Sequence, residues 1–399
     1  MIRVVIIASL IALALGILFL PNWYLARRIA SLFGLGRAWP LLALFLAMAA
    51  AFPLATILSR RIDGPAVSAL YVVSAVWLGA VFVGLSVFAL LHLAQALAGL
   101  AHRPLPVKLV GWLSLGATIV LCVYALINAA VVRTTTVTVE LLNTKLETGV
   151  RIVQLSDVHL GAVYGRKYLA RLVDRTNALK PDLVAITGDL FDGSGLPNYE
   201  MVQPLERLKA PAFFVTGNHE NYEGADKCAA LVAQAGVRVL RNEVAECAGL
   251  LLVGIDSPQR EQRRNPKLSE LAQKFDRTKP IVLLYHVPLG LAESAASGVD
   301  LQLSGHTHNG QLFPFTLTMP LAYRFFKGLG RVALETYRKA NPSTTVVDAA
   351  GAGLNKNGAF YIFISQGSGT WGLPMRLGSR SEIVLLNIVP KWSPHGQSP

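Results

Sequence analysis

The order of apolar and polar residues divides the chain into two parts with different patterns. Residues 1–132 contain four long stretches that are almost free of charge, at residues 4–20, 41–58, 66–97 and 107–132. A helix that crosses the hydrocarbon core of a bilayer needs roughly 20 apolar residues, within a range of about 17–25. The pattern therefore predicts an α-helical transmembrane region of about four spans, with both ends on one side of the membrane.

The first apolar stretch has a second interpretation, a cleaved signal peptide with Arg3 as its charged start. Its apolar part is long for a signal peptide, and no clear small-residue cleavage site precedes Pro21. We therefore prefer a first membrane span. The basic residues that flank the four stretches divide almost evenly between the two sides, so the positive-inside rule does not assign the side on which the remaining chain lies.

From residue 133 onward, short strands and helices replace the continuous apolar pattern. TTTVTVELL predicts a first strand, and RIVQLSD, DLVAITGD, APAFFVTGNH, PIVLLYH and SEIVLLNIV are among the later runs that predict strands. Helical spacing in GRKYLARLVDRTNALK and ADKCAALVAQAG places helices between them. Strands that alternate with helices indicate an α/β domain over residues 133–390. Residues 391–399 are predicted to be a disordered tail.

Composition agrees with this division and adds the sign of the charge. Hydrophobic residues make up 53% of the chain and charged residues only 15%, below the ~25% of typical soluble domains. The formal net charge of +13 suits anionic lipid surfaces and phosphate-bearing substrates. We therefore expect an integral membrane protein of the cell (inner) membrane, in contact with membrane lipids. Nothing in the sequence indicates a nucleic-acid partner, and the oligomeric state is left open.

Five of the predicted strands end on residues that can bind a metal ion. The endings are SDVH, GDLFD, GNHE, the YH of PIVLLYH, and GHTH. In open α/β sheets the ligands bind outside the carboxyl ends of the strands, so distant side chains can converge there. The candidate residues are Asp157, His159, Asp189, Asp192, Asn218, His219, His286, His306 and His308.

Carboxylate, amide and imidazole donors together suit a pair of divalent cations. Two cations ~3.5–4 Å apart need a shared oxygen, which a carboxylate such as Asp189 can provide, and imidazole favours Zn, Fe or Mn. His306 and His308 share one tight turn, where side chains two positions apart can face different ions. DVH alone occurs often by chance, GD and GNH are common turn chemistry, and GHTH alone could be a structural zinc pair. All five motifs in order at strand ends favour a metal site.

The series DVH…GDLFD…GNHE…H…GHTH resembles the calcineurin-like metallophosphoesterase family over residues 151–308. The later SQGSGTWGLPMRLGSRSEIVLL is similar to the closing segment of a membrane-associated bacterial branch of that family. The resemblance implies a four-layer α/β/β/α sandwich with a dinuclear metal centre. The ligands it implies are Asp157, His159 and His308 for one metal and Asn218, His286 and His306 for the other, with Asp189 shared. It also implies that His219 is the catalytic histidine and that Asp192 orients it.

The expected activity is metal-dependent hydrolysis of a phosphodiester or pyrophosphate bond, with two divalent ions (Mn²⁺, Fe²⁺ or Zn²⁺) as cofactors. A lipid-linked or cell-envelope phosphoester is one candidate substrate. Two alternatives stay open: a membrane sensor or transporter with a regulatory phosphoesterase-like domain, and a metal-binding scaffold without catalysis. For His219 the alternative is a structural turn histidine bonded to Asp192.

Two features follow the GHTH motif directly. Asn309 stands where many members of the family have Gly, and at this place it could change access to the site. The segment 312–330 is apolar and aromatic and carries Arg324 and Lys327, as an element at a membrane interface would. A buried hydrophobic loop explains the same segment equally well.

Overall fold

Four long helices precede the α/β domain. The computed structural model describes residues 2–103, 105–142, 146, 148–257, 266–333 and 359–391. The four helices are α1 (Ile2–Leu32), α2 (Trp39–Ser59), α3 (Pro65–Leu100) and α4 (Val107–Ala130). Among the described residues, α2, α3 and α4 are long and apolar enough to cross a membrane. The span predicted at residues 4–20 lies within α1, but the side chains of residues 2–8, 10 and 11 are outside the described part, so that span stays a prediction.

Apolar contacts and a hydrogen bond join the helices of this bundle. Leu25 of α1, Phe45 of α2 and Phe88 of α3 belong to one buried cluster. The indole Nε1 of Trp77 donates to Asn22 Oδ1 at 3.0 Å, which links α3 to α1. Such bonds satisfy polar groups that lipid chains cannot satisfy.

The described part of the α/β domain contains two six-stranded sheets. The strands are β1 (Arg133–Leu142), β2 (Val150–Leu155), β3 (Leu183–Thr187), β4 (Ala212–Val215), β5 (Arg238–Val239), β6 (Glu243–Cys247), β7 (Leu250–Ile255), β8 (Ile281–Tyr285), β9 (Leu301–Ser304), β10 (Gly328–Ala333), β11 (Ala359–Ile364) and β12 (Glu382–Lys391). The first sheet has the order β1-β12-β2-β3-β4-β5, and the second has the order β10-β11-β9-β8-β7-β6. Strands β2 to β5 are parallel, as are β7, β8, β9 and β11.

The central strands β3, β4, β7, β8 and β9 are buried along their whole length, which explains their continuous apolar runs. One core lies between the sheets and includes Ile152, Leu252 and Phe363. A second core packs the outer face of the first sheet against helices, and a third covers the outer face of the second sheet. The helices of the domain are α5 (Arg166–Ala178), α6 (Tyr199–Val202), α7 (Asn218–Glu223), α8 (Ala225–Gln234), α9 (Pro266–Leu271), α10 (Leu291–Ala296) and α11 (Met319–Ala322). The predicted four-layer α/β/β/α fold is therefore confirmed.

The last strand extends to the predicted C-terminal tail. Lys391, the first residue of that predicted tail, pairs with Leu142 as the last residue of β12. Residues 392–399, on which the prediction of disorder falls, lie outside the described residues.

The helix bundle and the α/β domain share an apolar contact. Leu312 and Met375 of the domain pack in one buried cluster with Val83 and Val87 of α3 and Ala125 of α4. Both domain residues belong to loops near the carboxyl ends of the strands. The bundle therefore packs against the same end of the sandwich that carries the candidate ligands.

The segment 312–330 lies beside this contact. Its Phe315 ring meets Phe82 of α3 with 5.4 Å between centroids. Further along, Leu317 is 63% exposed and Leu321 is 88% exposed. The segment is thus neither a buried loop nor a fully detached element, because it is anchored to α3 and presents leucine side chains outward.

Candidate metal centre

Each candidate ligand lies in the segment that directly follows a strand, and Asn218 is also the first residue of α7. The loops after β2, β3 and β4 belong to the first sheet, and those after β8 and β9 belong to the second. The structure brings the seven predicted ligands together in two groups, one with Asp157, His159 and His308, the other with Asp189, Asn218, His286 and His306. Residues up to 151 positions apart in the sequence therefore meet where the carboxyl ends of the two sheets converge.

The first group is buried and closely packed. One potential ligand atom from each of Asp157, His159 and His308 lies within 4.8 Å of the others. The Nε2 atoms of His159 and His308 are 2.9 Å apart, and His308 Nε2 lies 3.3 Å from Asp157 Oδ1. Two imidazole nitrogens and a carboxylate oxygen that point at one another are arranged like the ligands of a single cation.

The potential ligand atoms of the second group are also closely packed. His286 Nε2 lies 3.0 Å from Asp189 Oδ2, and Asn218 Oδ1 lies 2.8 Å from His306 Nδ1. The opposite nitrogen of His286, Nδ1, is 2.8 Å from the carbonyl oxygen of Thr187. A hydrogen bond donated to this carbonyl fixes the ring so that Nε2 faces the group, as is usual for histidines that bind metals.

Two buried imidazole nitrogens support the presence of a cation. His286 Nε2 lies close to Asp189 but has no aligned hydrogen-bond partner among the described residues. His159 Nδ1 faces Asp192 Oδ1 at 3.2 Å and is likewise poorly aligned. Buried polar atoms without hydrogen bonds are uncommon, and divalent Mn, Fe or Zn suits this mixture of nitrogen and oxygen donors. The residues of both groups therefore fit a divalent ion.

A left-handed backbone conformation directs these side chains. Five of the seven candidate ligands have φ between 48° and 71°, and these are Asp157, His159, Asp189, His306 and His308. Thr307, between the two histidines of GHTH, has φ −74°. The alternation sends His306 to the second group and His308 to the first. Left-handed non-glycine residues are strained and cluster at functional sites.

Two glycines allow the loops to approach each other. A Cβ atom on Gly305 would overlap Ser156 Oγ and Asp157 Oδ2, and one on Gly217 would overlap Asp189 Oδ1. The amide of His306, next to Gly305, donates to Asp157 Oδ1 at 2.9 Å. Glycine at these positions therefore lets the GHTH turn and the GNH turn contact the ligand carboxylates of neighbouring loops.

His219 is held beside the first group by Asp192, but through the main chain. His219 Nδ1 lies 2.6 Å from the carbonyl oxygen of Asp192. The carboxylate of Asp192 instead faces His159 Nδ1 and accepts a hydrogen bond from Ser194. The side chain of Asp192 thus supports a candidate metal ligand, while its carbonyl orients His219 and leaves Nε2 of that ring for another partner.

Burial and the neighbouring carboxylates give the histidines of the site different pKa values. Burial alone would lower the pKa of His286, but the charges of Asp189 and Asp157 and the hydrogen bonds to Asp189 and Thr187 together outweigh it and raise that pKa to about 10. Burial lowers the pKa of His308 to about 4, against the effect of Asp157. Burial also lowers the pKa of His219. Positive charge is therefore favoured next to Asp189, where the second group lies.

Glu220 is a supporting residue that sequence reasoning did not single out. Its buried carboxylate accepts hydrogen bonds from the amides of Gly217 at 2.6 Å, Asp189 at 3.0 Å and Phe191 at 3.1 Å. Burial, together with the charge of Asp189, raises its pKa to about 7. It ties the loop after β3 to the loop after β4. Its position directly after His219 in GNHE was the available signal.

Arg376 is the second residue that sequence reasoning missed. Its fully buried Nη2 donates to the carbonyl oxygens of Gln366 at 2.6 Å and Gly369 at 2.7 Å, and it lies 3.2 Å from His308 Nδ1. Burial lowers the pKa of this guanidinium to about 10. Arg376 lies in the closing segment SQGSGTWGLPMRLGSRSEIVLL, and nothing in the pattern of that segment distinguishes this arginine from an exposed one.

Asn309 has a structural contact in this site. It is buried, adopts φ 51° and ψ 36°, and donates from Nδ2 to the carbonyl oxygen of Gly378 at 3.0 Å. Asn tolerates the left-handed region better than most residues with a side chain. The residue therefore joins the GHTH turn to the closing segment.

The membrane region contributes to the surroundings of His219. Arg60, in the turn between α2 and α3, donates from Nε to the carbonyl oxygen of Gly193 at 2.9 Å. Tyr71 of α3 packs in a cluster that includes Ala162 and Val163 of the loop after β2. The loop that carries Asp192 is thus held from the side of the helix bundle as well.

The sequence of this chain is similar to that of known proteins. Residues 150–310 match the family model of the calcineurin-like phosphoesterases. The chain is 32% identical over 252 residues to an uncharacterized metallophosphoesterase of Helicobacter pylori, covering 62% of each chain. It is 34% identical over 298 residues to a transmembrane protein with metallophosphoesterase domain of Danio rerio, covering 70% of this chain and 62% of that one. It is 33% identical over 252 residues to an uncharacterized metallophosphoesterase of Aquifex aeolicus, and the alignment covers 61% of this chain and 87% of that one.

The chain therefore belongs to the calcineurin-like phosphoesterase family, as the sequence motifs predicted. Its alignment spans less than two thirds of the length of the Helicobacter and Danio relatives. The apolar helices and the transmembrane relative together indicate that the protein is associated with a membrane.

Metal binding is expected to strengthen as the pH rises. With a pKa of about 10, His286 carries a proton at pH 7 that a cation must displace. Each proton released raises the apparent affinity by up to about tenfold per pH unit. Calorimetric titration with Mn²⁺ between pH 6.5 and 8, in two buffers of different ionisation enthalpy, measures this release. An affinity that does not change with pH would contradict the assignment of His286 as a ligand.

Gly305→Ala is expected to lower the metal content of the purified protein. The added methyl group overlaps Ser156 and Asp157, so the GHTH turn must move away from the loop after β2. Gly165→Ala is the matched control, because a Cβ at Gly165 meets no atom within 4 Å. Elemental analysis and thermal unfolding of both variants measure the effect. Full metal content in Gly305→Ala would show that the contact between the two turns is not required.

Proposed function

We propose that this protein is a membrane-anchored phosphoesterase that uses two divalent metal ions to hydrolyse phosphodiester or pyrophosphate bonds. The observation that carries the proposal is the pair of ligand groups, seven side chains from five loops, with a further oriented histidine beside them. The setting we propose is the cell (inner) membrane, with membrane lipids as neighbours and no nucleic-acid partner.

In this proposal one ion is held by Asp157, His159 and His308, the other is held by Asn218, His286 and His306, and Asp189 is shared. Asp189 acts electrostatically on His286 of one group and His159 of the other, which supports the shared role. When bound, the two cations supply Lewis acidity, which lowers the pKa of water and balances charge on phosphoryl oxygens. Mn²⁺, Fe²⁺ and Zn²⁺ suit the donor set.

His219 is proposed to act on the leaving oxygen or the phosphate. Its Nδ1 is engaged by the carbonyl oxygen of Asp192, so Nε2 can donate to or accept from a substrate oxygen. Burial lowers the pKa of the ring, and the negative charge of a bound phosphate would act in the opposite direction. The ring can therefore hold a proton when a phosphate is present and give it to the leaving group.

A lipid-linked substrate is favoured by the surroundings of the site. Seven large apolar side chains of the described α/β domain are exposed, namely Leu196, Tyr222, Phe315, Leu317, Leu321, Leu329 and Trp371. The rings of Tyr222 and Trp371 lie 5.4 Å and 6.2 Å from that of His219. Phe315 is anchored on α3 of the helix bundle. Apolar surface thus extends from the region of His219 to the bundle, where acyl or prenyl chains could lie.

The described helices offer less support for a transporter. Their buried polar side chains are Asn22, Ser59, Ser74, Ser114 and Asn128, and none of these is ionisable. Ionisable residues inside the membrane commonly mark transport pathways. A metal-binding scaffold without catalysis is the remaining alternative, and activity measurements separate it from an enzyme.

Asp189→Ala is expected to abolish hydrolysis and lower metal content, whereas His219→Ala is expected to keep the metal and lose about 10²–10⁴-fold in kcat. The assay measures hydrolysis of bis(p-nitrophenyl) phosphate by the full chain in detergent with Mn²⁺. The control variant is His102→Ala, which changes an exposed histidine outside the site. Unchanged kcat in His219→Ala would assign that ring a structural role. A metal-loaded wild type that hydrolyses no phosphoester would favour the scaffold.

Replacing Leu317 and Leu321 together by Asn is expected to lower activity on a polyprenyl pyrophosphate in mixed micelles by about tenfold. Each leucine would lose part of the roughly 1.5–3 kcal/mol that full burial of its side chain provides. Activity on the small soluble diester is expected to change less than about twofold, because the ligand groups are untouched. Lys167→Asn is the control, since this side chain is exposed on α5 and is not one of the seven apolar side chains. Equal losses on both substrates would contradict the lipid-facing role.

A further inference from the structure

A cavity lies where α4 joins the α/β domain. Its volume is about 670 Å³, within the ~300–1,000 Å³ that is typical of ligand sites. Tyr124 and Asn128 of α4, Arg133 of β1, Lys327 before β10 and Arg380 before β12 contribute to its lining. None of the seven candidate metal ligands is among its described lining residues.

Three cationic side chains and one carboxylate face this cavity. The carboxylate, Glu382, is 2% exposed and is occupied by hydrogen bonds from the amide of Gln366 at 2.9 Å and the hydroxyl of Thr135 at 2.6 Å. It also receives a longer contact from Arg380 Nε at 3.4 Å. The cavity is therefore positively charged, and its one negative group is already neutralised by protein donors.

The other two cations have no carboxylate partner in the described part of the chain. Arg133 donates from Nη1 to the neutral Asn128 Oδ1 at 2.8 Å, which holds the guanidinium at the end of α4. The ammonium of Lys327 lies over the Phe326 ring, 5.7 Å from its centroid. Both can donate to an anion without breaking an ion pair.

An apolar ridge leads along α4 to this cavity. The exposed side chains of Val120, Val123, Tyr124 and Ile127 lie on one helical face, and their exposed fractions range from 50% to 66%. Tyr124 also lines the cavity. The ridge belongs to a helix that is long and apolar enough to span a membrane. A ligand with an anionic head and hydrocarbon chains would match both surfaces at once.

We infer that this cavity binds the phosphate headgroup of an anionic membrane phospholipid, with Arg133, Lys327 and Arg380 around the phosphate and the acyl chains along α4. Arginine and lysine are the usual donors to phosphate, and their bonds to a charged acceptor are among the stronger hydrogen bonds in proteins. The inference concerns binding, and it is independent of the hydrolysis proposed above.

The cavity is connected to the candidate metal centre by a short series of contacts. Asn128 donates from Nδ2 to the carbonyl oxygens of Arg376 at 2.9 Å and Ser379 at 2.8 Å. The guanidinium of Arg376 lies 3.2 Å from His308 Nδ1. A bound headgroup would hold the segment that supports His308, so lipid binding is also expected to raise the thermal midpoint of the protein.

The test is native mass spectrometry of the full chain in a neutral detergent, titrated with phosphatidylglycerol or with phosphatidylcholine. We expect one phosphatidylglycerol to bind more tightly than phosphatidylcholine. The double variant Lys327→Gln/Arg380→Gln is expected to weaken phosphatidylglycerol binding by about tenfold or more, since two charged donors are lost. Arg61→Gln, which removes an exposed cation from the turn after α2, is expected to change binding less than about twofold.

A second variant is needed because Arg380→Gln also removes the contacts that Arg380 makes with Glu382 and Thr135. Lys327→Glu leaves those contacts intact and is expected to lose phosphatidylglycerol binding while its thermal midpoint without lipid stays that of the wild type. Equal weakening by Arg61→Gln would reduce the effect to diffuse surface charge and overturn the inference. Competition by soluble glycerophosphoglycerol at the same concentration as the lipid would overturn the role of the acyl chains and assign a soluble phosphate ligand instead.

Discussion

The burial of several carboxylates beside imidazoles is the constraint on which this structure depends. Asp157, Asp189 and Asp192 are at most 6% exposed, and an uncompensated buried carboxylate destabilises a fold by several kcal/mol. Protonated imidazole can offset part of this, as the raised pKa of His286 shows. A proton on a ring nitrogen compensates only the carboxylate it faces, whereas a divalent cation compensates several donors at once. Metal binding and the stability of this end of the sandwich are therefore linked.

The same constraint explains the strained turns. Five candidate ligands adopt left-handed backbone conformations, each of which costs about 1 kcal/mol or more for a residue with a side chain. Glycines at positions 217 and 305 let the turns approach within contact of the ligand carboxylates. Glu220 then accepts hydrogen bonds from the amides of two of these loops, and Arg376 contacts the carbonyl oxygen of His308 at 3.4 Å. The strain is concentrated where ligand atoms from two sheets must meet, and it is offset by buried hydrogen bonds.

The sequence predicted most of the elements and all the candidate ligands, because both leave a local signal. Apolar runs buried on both faces marked strands such as β3 and β8, and polar residues at their ends marked the loops. Strand β6, with the sequence EVAEC, was not predicted, since only its Ala245 is buried and the strand is defined by its pairing with β7. Whether Asp192 orients His219 by its carboxylate or its carbonyl is likewise not visible in the sequence. Glu220 and Arg376 escaped notice because a buried charge is defined by its three-dimensional partners.

The contacts between bundle and domain argue that the helix bundle does more than hold the α/β domain at a surface. A pure anchor needs one covalent connection, which the passage from α4 to β1 already supplies. Here Arg60 bonds the loop that carries Asp192, Met375 packs among side chains of α3 and α4, and Asn128 binds the closing segment next to Arg376. These contacts reach the loop that carries Asp192 and the closing segment that contains Arg376. A shift of the helices would therefore move the surroundings of His219 and His308.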